Sequence, residues 1–273
     1  MLISAKNRKK ILSFPGMRQL TNLYVNICNT IFYKNICLKS KYNNTIKSMK
    51  DSEKNNRCFI VGNGPSLTIE QLEKIKDEKS FGANRIYKIF EKTKWRPNYY
   101  VIQDPYDSTP KENYEKIIVD NLFVSDYYWK EHGMNNKNAI CYHTIRTLKQ
   151  KTNLPFSRDI SQYVQVAGTV TYTMIQIAAY MGFKEIYLIG MDHNYDNITD
   201  DKGKLIKKNN IKNHVFEDEN PKEVVANISY MEDAYKSAKK FCEANDIKIF
   251  NATLGGKLEI FERKDFWSLF ERK

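Results

Sequence analysis

The residues able to do chemistry in this chain are few. His214 stands in Asn213-His214-Val215-Phe216, inside a strongly polar stretch over 196–222. A histidine on a loop facing an anionic ligand can act as a general base, because its pKa lies near neutral. The alternative for His214 is a solvent-exposed loop residue. Asp104 and Asp192 each follow an apolar run, and His193 comes directly after Asp192. The two carboxylates could hold Mg²⁺ against a diphosphate. His193 suits a cap or a ligand contact. His132 and His143 lie in weakly patterned sequence and read as surface or structural residues. No Asp-x-Asp pair marks a metal-bound sugar nucleotide, and Asp200-Asp201 reads as a solvated turn.

The stretch that would organise such a site is Cys58-Phe59-Ile60-Val61-Gly62-Asn63-Gly64-Pro65-Ser66. An apolar run enters a tight turn, and Leu67 to Ile75 continues at helical spacing. That is a buried strand, a turn and a helix start, the edge where α/β proteins bind nucleotides. Gly62 and Gly64 would let the backbone approach a ligand with no Cβ in the way. The turn and the helix N-terminus after it would offer N–H groups to an anion. Asn63 and Ser66 add side-chain donors and acceptors. The pattern lacks the third glycine of the dinucleotide fingerprint and the Gly-Lys-Ser/Thr of a P-loop.

Strands and helices alternate around that turn. Strands are expected at 80–84, 99–103, 122–124, 139–142, 186–190 and 247–250. Helices are expected through 86–90, around 111–118, over 172–181 with Gly182 as its cap, and from about 224 to 245. Residues 143–165 carry no clear pattern. The fold class is α/β, a Rossmann-like, mostly parallel sheet with helices on both faces, preceded by an amphipathic N-terminal helix. Polar residues gather where these strands end: Asn63 and Ser66, Asn84, Asp104, Asp192 and His193, and Asn251 and Thr253. Each alone is an ordinary turn residue, but their recurrence after five strands points to one shared site.

Charge divides the chain. The full sequence carries +12, and residues 1–57 hold 12 Lys and Arg against 2 Asp and Glu. A basic arm over 1–57 therefore precedes a nearly neutral body over 58–273, which suggests an anionic partner surface for the arm. Leu20, Leu23, Tyr24, Ile27, Cys28, Ile31 and Phe32 recur at helical spacing, with Asn22, Asn26 and Asn29 opposite. Such a helix would lie on an anionic membrane or dock on the body or a second copy of the chain. Residues 39–57 read as a polar linker. The arm's aromatics sit on its apolar face and do not alternate with basic residues, so nucleic acid is not an expected partner. Five scattered cysteines read as reduced thiols. No signal peptide and no conventional span is visible, so the expected location is cytoplasmic, with the arm allowing a peripheral position at the inner face of a membrane.

The motifs are similar to a known group. Ile60 to Leu67 resembles the opening motif of the bacterial sialyltransferases of glycosyltransferase family 42, and Ala83-Asn84 resembles their second nucleotide-contacting Asn. Gln103-Asp104-Pro105 falls where that family has Asn before Pro. Residues 182–192 are similar to its second core segment. Residues 251–261 look more like a sister group that includes archaeal-type 6-hydroxymethylpterin diphosphokinases and proteins of surface-polysaccharide clusters. The resemblance covers roughly 58–262. It implies a metal-independent transferase using a nucleotide sugar, a CMP-sugar first, with a glycan or lipid-linked glycan as acceptor. His214 falls near the family's catalytic His, Tyr195 near a phosphate-contacting Tyr, and no Arg stands before Gly168-Thr169 where the sialyltransferases carry one. The candidate catalytic residues are thus His214 and Asp104. The candidate nucleotide contacts are Gly62, Asn63, Gly64, Ser66, Asn84, Thr169, Asp192 and Tyr195. The alternatives are Mg²⁺-dependent pyrophosphoryl transfer, as in the diphosphokinases, and a non-catalytic nucleotide-binding partner.

Overall fold

A computed structural model of the protein describes residues 16–37, 41–104, 111–147, 154–195, 197–199, 205–207, 213–216 and 225–271. The first described elements are α1 (Met17–Phe32), a π-helical turn (Tyr33–Cys37) and α2 (Lys41–Ser48). The body begins with β1 (Arg57–Val61), α3 (Ile69–Lys74), β2 (Ser80–Ala83), a 3-10 helix (Asn84–Lys92) and β3 (Tyr99–Ile102). It continues through α4 (Lys111–Glu115), β4 (Asn121–Ser125), α5 (Asp126–His132), β5 (Ala139–Tyr142), β6 (Thr144–Arg146) and β7 (Val164–Val166). Then come α6 (Val170–Met181), β8 (Glu185–Ile189), β9 (Asn197–Thr199), β10 (Leu205–Lys207), β11 (Val225–Ala226), α7 (Ile228–Glu243), β12 (Lys248–Asn251) and β13 (Glu262–Arg263).

Eight strands form one sheet in the order β13-β12-β8-β1-β2-β3-β4-β5, with every pairing parallel. Parallel strands buried on both faces need apolar residues at successive positions, and strand geometry sends those residues to opposite sides. Cys58 and Ile60 of β1 join one core with Ile175 and Ile177 of α6 and Ala238 of α7. Phe59 and Val61 join the other, with Leu72 of α3, Ile86 and Ile89 of the 3-10 helix, and Tyr128 of α5. Helices therefore cover both faces, and the sheet is the two-sided α/β layer that the alternation of strands and helices implies.

Several boundaries differ from the sequence expectation. The segment after β2 winds as a 3-10 helix. The last helix starts at Ile228, because residues 225–226 pair with β9 as β11 and Asn227 caps the helix, its side chain accepting from the Tyr230 N–H. Within 39–57, α2 replaces part of the expected linker: Ile46 is fully buried in the core beside the sheet, one apolar anchor in a polar sequence. The unpatterned region yields β6 and β7, which pair with each other in parallel. Cys28, Cys58 and Cys242 are free, but Cys141 on β5 is disulfide-bonded. The expectation of thiols reduced throughout does not hold there, since spacing along the chain carries no signal for a bond between distant segments.

α1 docks on the body through its asparagines. Asn26 Nδ2 donates to the Arg146 carbonyl and its Oδ1 accepts from the Arg146 N–H, both at 2.9 Å. The side-chain amide thus copies a strand's peptide group against β6 and covers that edge. Asn22 donates to the Thr147 carbonyl at 2.9 Å, and buried Asn29 accepts from Lys130 Nζ at 3.0 Å. Beneath the helix, buried Asp126 accepts from Thr144 Oγ1 at 2.6 Å and pairs with His143 Nδ1 at 2.5 Å, and His143 Nε2 faces Thr30 Oγ1 at 3.3 Å.

Candidate functional site

Strand order reverses between β1 and β8, because the chain builds outward from β1 in one direction and later from β8 in the other. In open α/β sheets the crevice at that switch point is where ligands bind. The turns after the two strands meet there. Gly62 N–H donates to the Ile189 carbonyl at 2.8 Å and Gly64 N–H to the Gly190 carbonyl at 2.9 Å. A Cβ at Gly62 would collide with the Gly190 carbonyl, and one at Gly64 with the Asp192 carboxylate. These glycines admit the neighbouring turn, a different use from the close ligand approach expected from the sequence.

Asp192 is fixed by that packing. Its Oδ2 accepts from Ser66 Oγ at 2.7 Å and from the Ser66 N–H at 3.3 Å. Ser66 is not on the wall of the crevice and acts behind Asp192, setting where the carboxylate points. The helix after the turn does not serve the crevice either. Thr68 Oγ1 accepts from the Gln71 N–H and Gln71 Oε1 accepts from the Thr68 N–H, both at 3.2 Å. This capping box uses N–H groups that the sequence reading offered to an anion. The helix start that lines the crevice belongs to α6 (Gly168, Thr169, Val170 and Thr171), and its first turn holds no acidic residue. Its dipole favours an anion there.

The crevice is a cavity of about 870 Å³. Gly62, Asn63, Gly64, Asn84, Asp104, Thr169, Asp192, His193, Tyr195 and His214 all line it; of the polar residues gathered at the strand ends, Ser66, Asn251 and Thr253 do not. Asn251 and Thr253 are buried in structural roles instead: Asn251 Nδ2 donates to the Leu258 carbonyl at 2.7 Å, and Thr253 Oγ1 accepts from the Met191 N–H at 3.0 Å. Asn63 Nδ2 donates to the Ala83 carbonyl at 3.4 Å, while its Oδ1 is buried with no partner. Asn84 holds φ at 51°, a left-handed conformation that Asn tolerates better than most residues, and its carbonyl accepts from the Tyr100 hydroxyl. Asp104 is exposed at the end of β3. Gln103 beside it accepts from Thr173 Oγ1 of α6, tying β3 to that helix. Burial, with Tyr235 and Asp192 alongside, pushes the Tyr195 phenol far up, so it stays a neutral donor.

Two further cavity-lining residues carry buried side-chain atoms without hydrogen-bond partners. His193 holds φ at 51° and is buried with neither ring nitrogen hydrogen-bonded; Glu232 Oε1 stands 3.7 Å from Nε2. Burial lowers the His193 pKa. Asn194 Oδ1 is also buried and unpartnered. Native proteins leave few such groups unpaired, and where several line one cavity a polar ligand is the natural complement. His214 arrives from a different part of the chain. Val215 N–H donates to the Asn63 carbonyl at 2.8 Å, and the His214 ring stacks on buried Phe216 at 5.0 Å.

A family model described as 6-hydroxymethylpterin diphosphokinase MptE-like matches residues 32–197, more than half of the chain. The chain belongs to the MptE-like family. Its structure is also similar to that of the MAf glycosyltransferase from Magnetospirillum magneticum AMB-1, at 14% identity and a TM-score of 0.46. That likeness covers 84% of this chain and 38% of the other, so the chain spans well under half of that protein. No curated protein matches. The MptE-like span contains the β1 turn, Asn84, Asp104, the start of α6 and the β8 turn through Tyr195; His214 lies beyond it.

The MptE-like chain also brings to the cavity residues that the sequence reading missed. Arg146 and Thr147 come from the unpatterned region, and Gln19 and Asn22 come from α1. Arg146 lies over the Tyr127 ring at 4.5 Å, and its Nε is buried with no partner. The guanidinium places positive charge on the cavity wall. A buried-strand pattern is too short to see in Thr144–Arg146, and only α1's asparagine spacing hinted that the arm had something to grip.

Proposed function

We propose that this protein transfers a sugar from a nucleotide-sugar donor, a CMP-sugar in the simplest case, to a hydroxyl of a glycan or lipid-linked glycan acceptor in surface polysaccharide synthesis. The observation that carries the reading is the set of unpartnered polar atoms at the switch point: Asn63 Oδ1, Asn194 Oδ1 and the two ring nitrogens of His193. An acceptor oxygen such as Asn63 Oδ1 suits the amino group of a base or a ribose hydroxyl. The N-terminus of α6 and the Tyr195 phenol suit the phosphate. Charge grows on the departing phosphate as the glycosidic bond breaks, and donors fixed before the reaction stabilise that charge at little reorganisation cost. His214, held against the Asn63 turn, would take the acceptor proton. Asp104 at the open end would position the acceptor or the donor sugar.

The second reading is pyrophosphoryl transfer from ATP, favoured by the family's own description. It needs Mg²⁺, and Mg²⁺ is commonly held by one or two carboxylates plus substrate phosphates. Asp104 and Asp192 both line the cavity, but Asp192 Oδ2 already accepts from Ser66. Among the described residues no group of three His, Cys, Asp or Glu side chains stands together as a metal site. The fit to Mg²⁺ is therefore thin, and Asp104 with the other Asp192 oxygen would have to share the ion with the phosphates.

A thermal-shift screen against CMP, CDP, UDP, GDP and ATP, each with and without Mg²⁺, separates the readings, because a ligand held only by the native state raises Tm. Stabilisation by CMP or CDP that ignores Mg²⁺ supports the sugar transferase. Stabilisation by ATP only with Mg²⁺, lost in Asp104→Ala, overturns it in favour of the second reading.

A further inference from the structure

Docking α1 by its polar side leaves its apolar side outside. The asparagines at 22, 26 and 29 hold β6 and α5. On the opposite face Leu20 is 59% exposed, Leu23 43%, Tyr24 69%, Ile27 50% and Ile31 55%. Among the described residues these are five of the eleven exposed large apolar side chains. The others are split between the small β9–β10–β11 sheet and isolated positions. Scattered exposed apolar residues are normal, but a stripe at i, i+3, i+4, i+7 and i+11 on one helix is not. An ordinary docked helix would bury this face and show its asparagines to water.

The charge of this part of the sequence points to what covers the stripe. α1 itself has no acidic residue. Residues 1–57 hold 12 Lys and Arg against 2 Asp and Glu, while the rest of the chain is nearly neutral. Exposed Lys34 follows the helix directly. Apolar side chains on an interfacial helix enter the acyl boundary while flanking cations meet anionic headgroups. No helix among the described residues is long and apolar enough to cross a membrane. The same helix lines the cavity with Gln19 and Asn22.

We propose that α1 docks this protein on an anionic lipid bilayer through the Leu20–Leu23–Tyr24–Ile27–Ile31 stripe, and so holds the α1 side of the cavity at the headgroup level. The docking stands on the exposed stripe and the charge alone. Its use, to meet a lipid-linked acceptor, rests on the sugar-transfer reading.

The test is flotation of the full chain with vesicles of phosphatidylcholine alone and of phosphatidylcholine with about one-third phosphatidylglycerol, a fraction that gives a strong negative surface potential. The chain is expected to float with the anionic vesicles, to stay behind with the neutral ones, and to be released by high salt. Leu23→Ser/Ile27→Ser is expected to lower vesicle binding about tenfold or more, and to lower Tm only slightly, because both residues are about half exposed. Retention of the wild type in solution with anionic vesicles at low salt overturns the proposal. So does equal flotation of the double variant. So does a dimer by light scattering that the double variant dissolves while the wild type ignores lipid, since the stripe would then be covered by a second copy. None of these readouts needs a nucleotide, so failure here is distinct from failure of the thermal-shift screen.

Discussion

Val215 donates its backbone N–H to the carbonyl of Asn63 at 2.8 Å. One hydrogen bond thereby joins the turn after the first strand to a segment more than 150 residues later in the chain. Its effect is positional. His214 comes to the cavity with its ring stacked flat on Phe216, at an interplanar angle of 7°. Lys88 covers the Phe216 ring at 5.7 Å, so the stack is bounded on the 3-10 helix side as well. A loop histidine becomes useful as a base only when something fixes it relative to the ligand, and the Asn63 carbonyl is what fixes this one.

The first prediction concerns His214. If it takes the acceptor proton, His214→Ala lowers kcat by roughly 10²- to 10⁴-fold, the usual range for a positioned general base. On the proposed role, which concerns the acceptor proton alone, nucleotide binding should change little. Single-turnover kinetics with a labelled CMP-sugar, beside CMP titration, checks this. A variant with full turnover removes His214 from the chemistry.

Asn63 carries the second. One of its amide N–H groups donates to the Ala83 carbonyl, and its Oδ1 is buried without a partner, so a ligand hydroxyl or amino group that reaches Oδ1 would satisfy it. Asn63→Ala should weaken CMP about tenfold, the worth of one well-placed hydrogen bond of about 1.4 kcal/mol. Without ligand the Tm should fall only slightly, since the lost bond is long. Calorimetric titration of both proteins with CMP decides it. Equal affinities would place the base elsewhere in the cavity.

How much of this was legible beforehand follows from what local pattern encodes. The run from Cys58 to Ser66 announces a strand and turn, because burial on two faces demands consecutive apolar residues and the turn demands glycine. The partner of that turn was invisible: nothing near Gly64 in the sequence says that Asp192 will fill the space of its missing Cβ. Ser66 likewise reads as a ligand group until Asp192 is placed against it. The arm's amphipathic pattern was readable, but periodicity gives two faces without saying which one docks. Asn26 decided that by pairing with Arg146, a residue in a stretch with no pattern at all. Long-range hydrogen bonds of this kind leave no trace in spacing.

His193 supplies a pH dependence. Burial lowers its pKa below 6.5, opposed by Glu232 at 3.7 Å, with the rings of Tyr195 and Tyr235 on the other sides. Between the folded and unfolded values, the unfolded chain binds a proton that the folded chain does not. The neutral ring therefore contributes stability that is fully present above about pH 6.5 and is lost as pH falls toward the folded value. His193→Asn keeps a residue that tolerates the left-handed backbone at φ 51° and removes the titration. Denaturant melts from pH 7.5 to 5.5 should show the wild type losing stability more steeply than the variant. Parallel curves would mean that His193 is solvated in solution.

Gly64 provides the sharpest structural prediction. A methyl group there would meet the Asp192 carboxylate and the Gly190 carbonyl. The carboxylate cannot retreat without giving up Ser66, and the carbonyl belongs to the β8 turn whose backbone is paired with Gly64 itself. Gly64→Ala should therefore destabilise by about 3 kcal/mol, the upper part of the range for overpacking, and push the β1 and β8 turns apart. Ser66→Ala, which adds no bulk, should cost about 2 kcal/mol, because it removes a hydrogen bond to a charged group. Combining them tests the relation between the two. With Ser66 gone the carboxylate is free to swing away from the new methyl, so the double variant should be less damaged than the sum of the singles. A strictly additive result in denaturant melts would show that the clash in Gly64→Ala is with the Gly190 backbone alone.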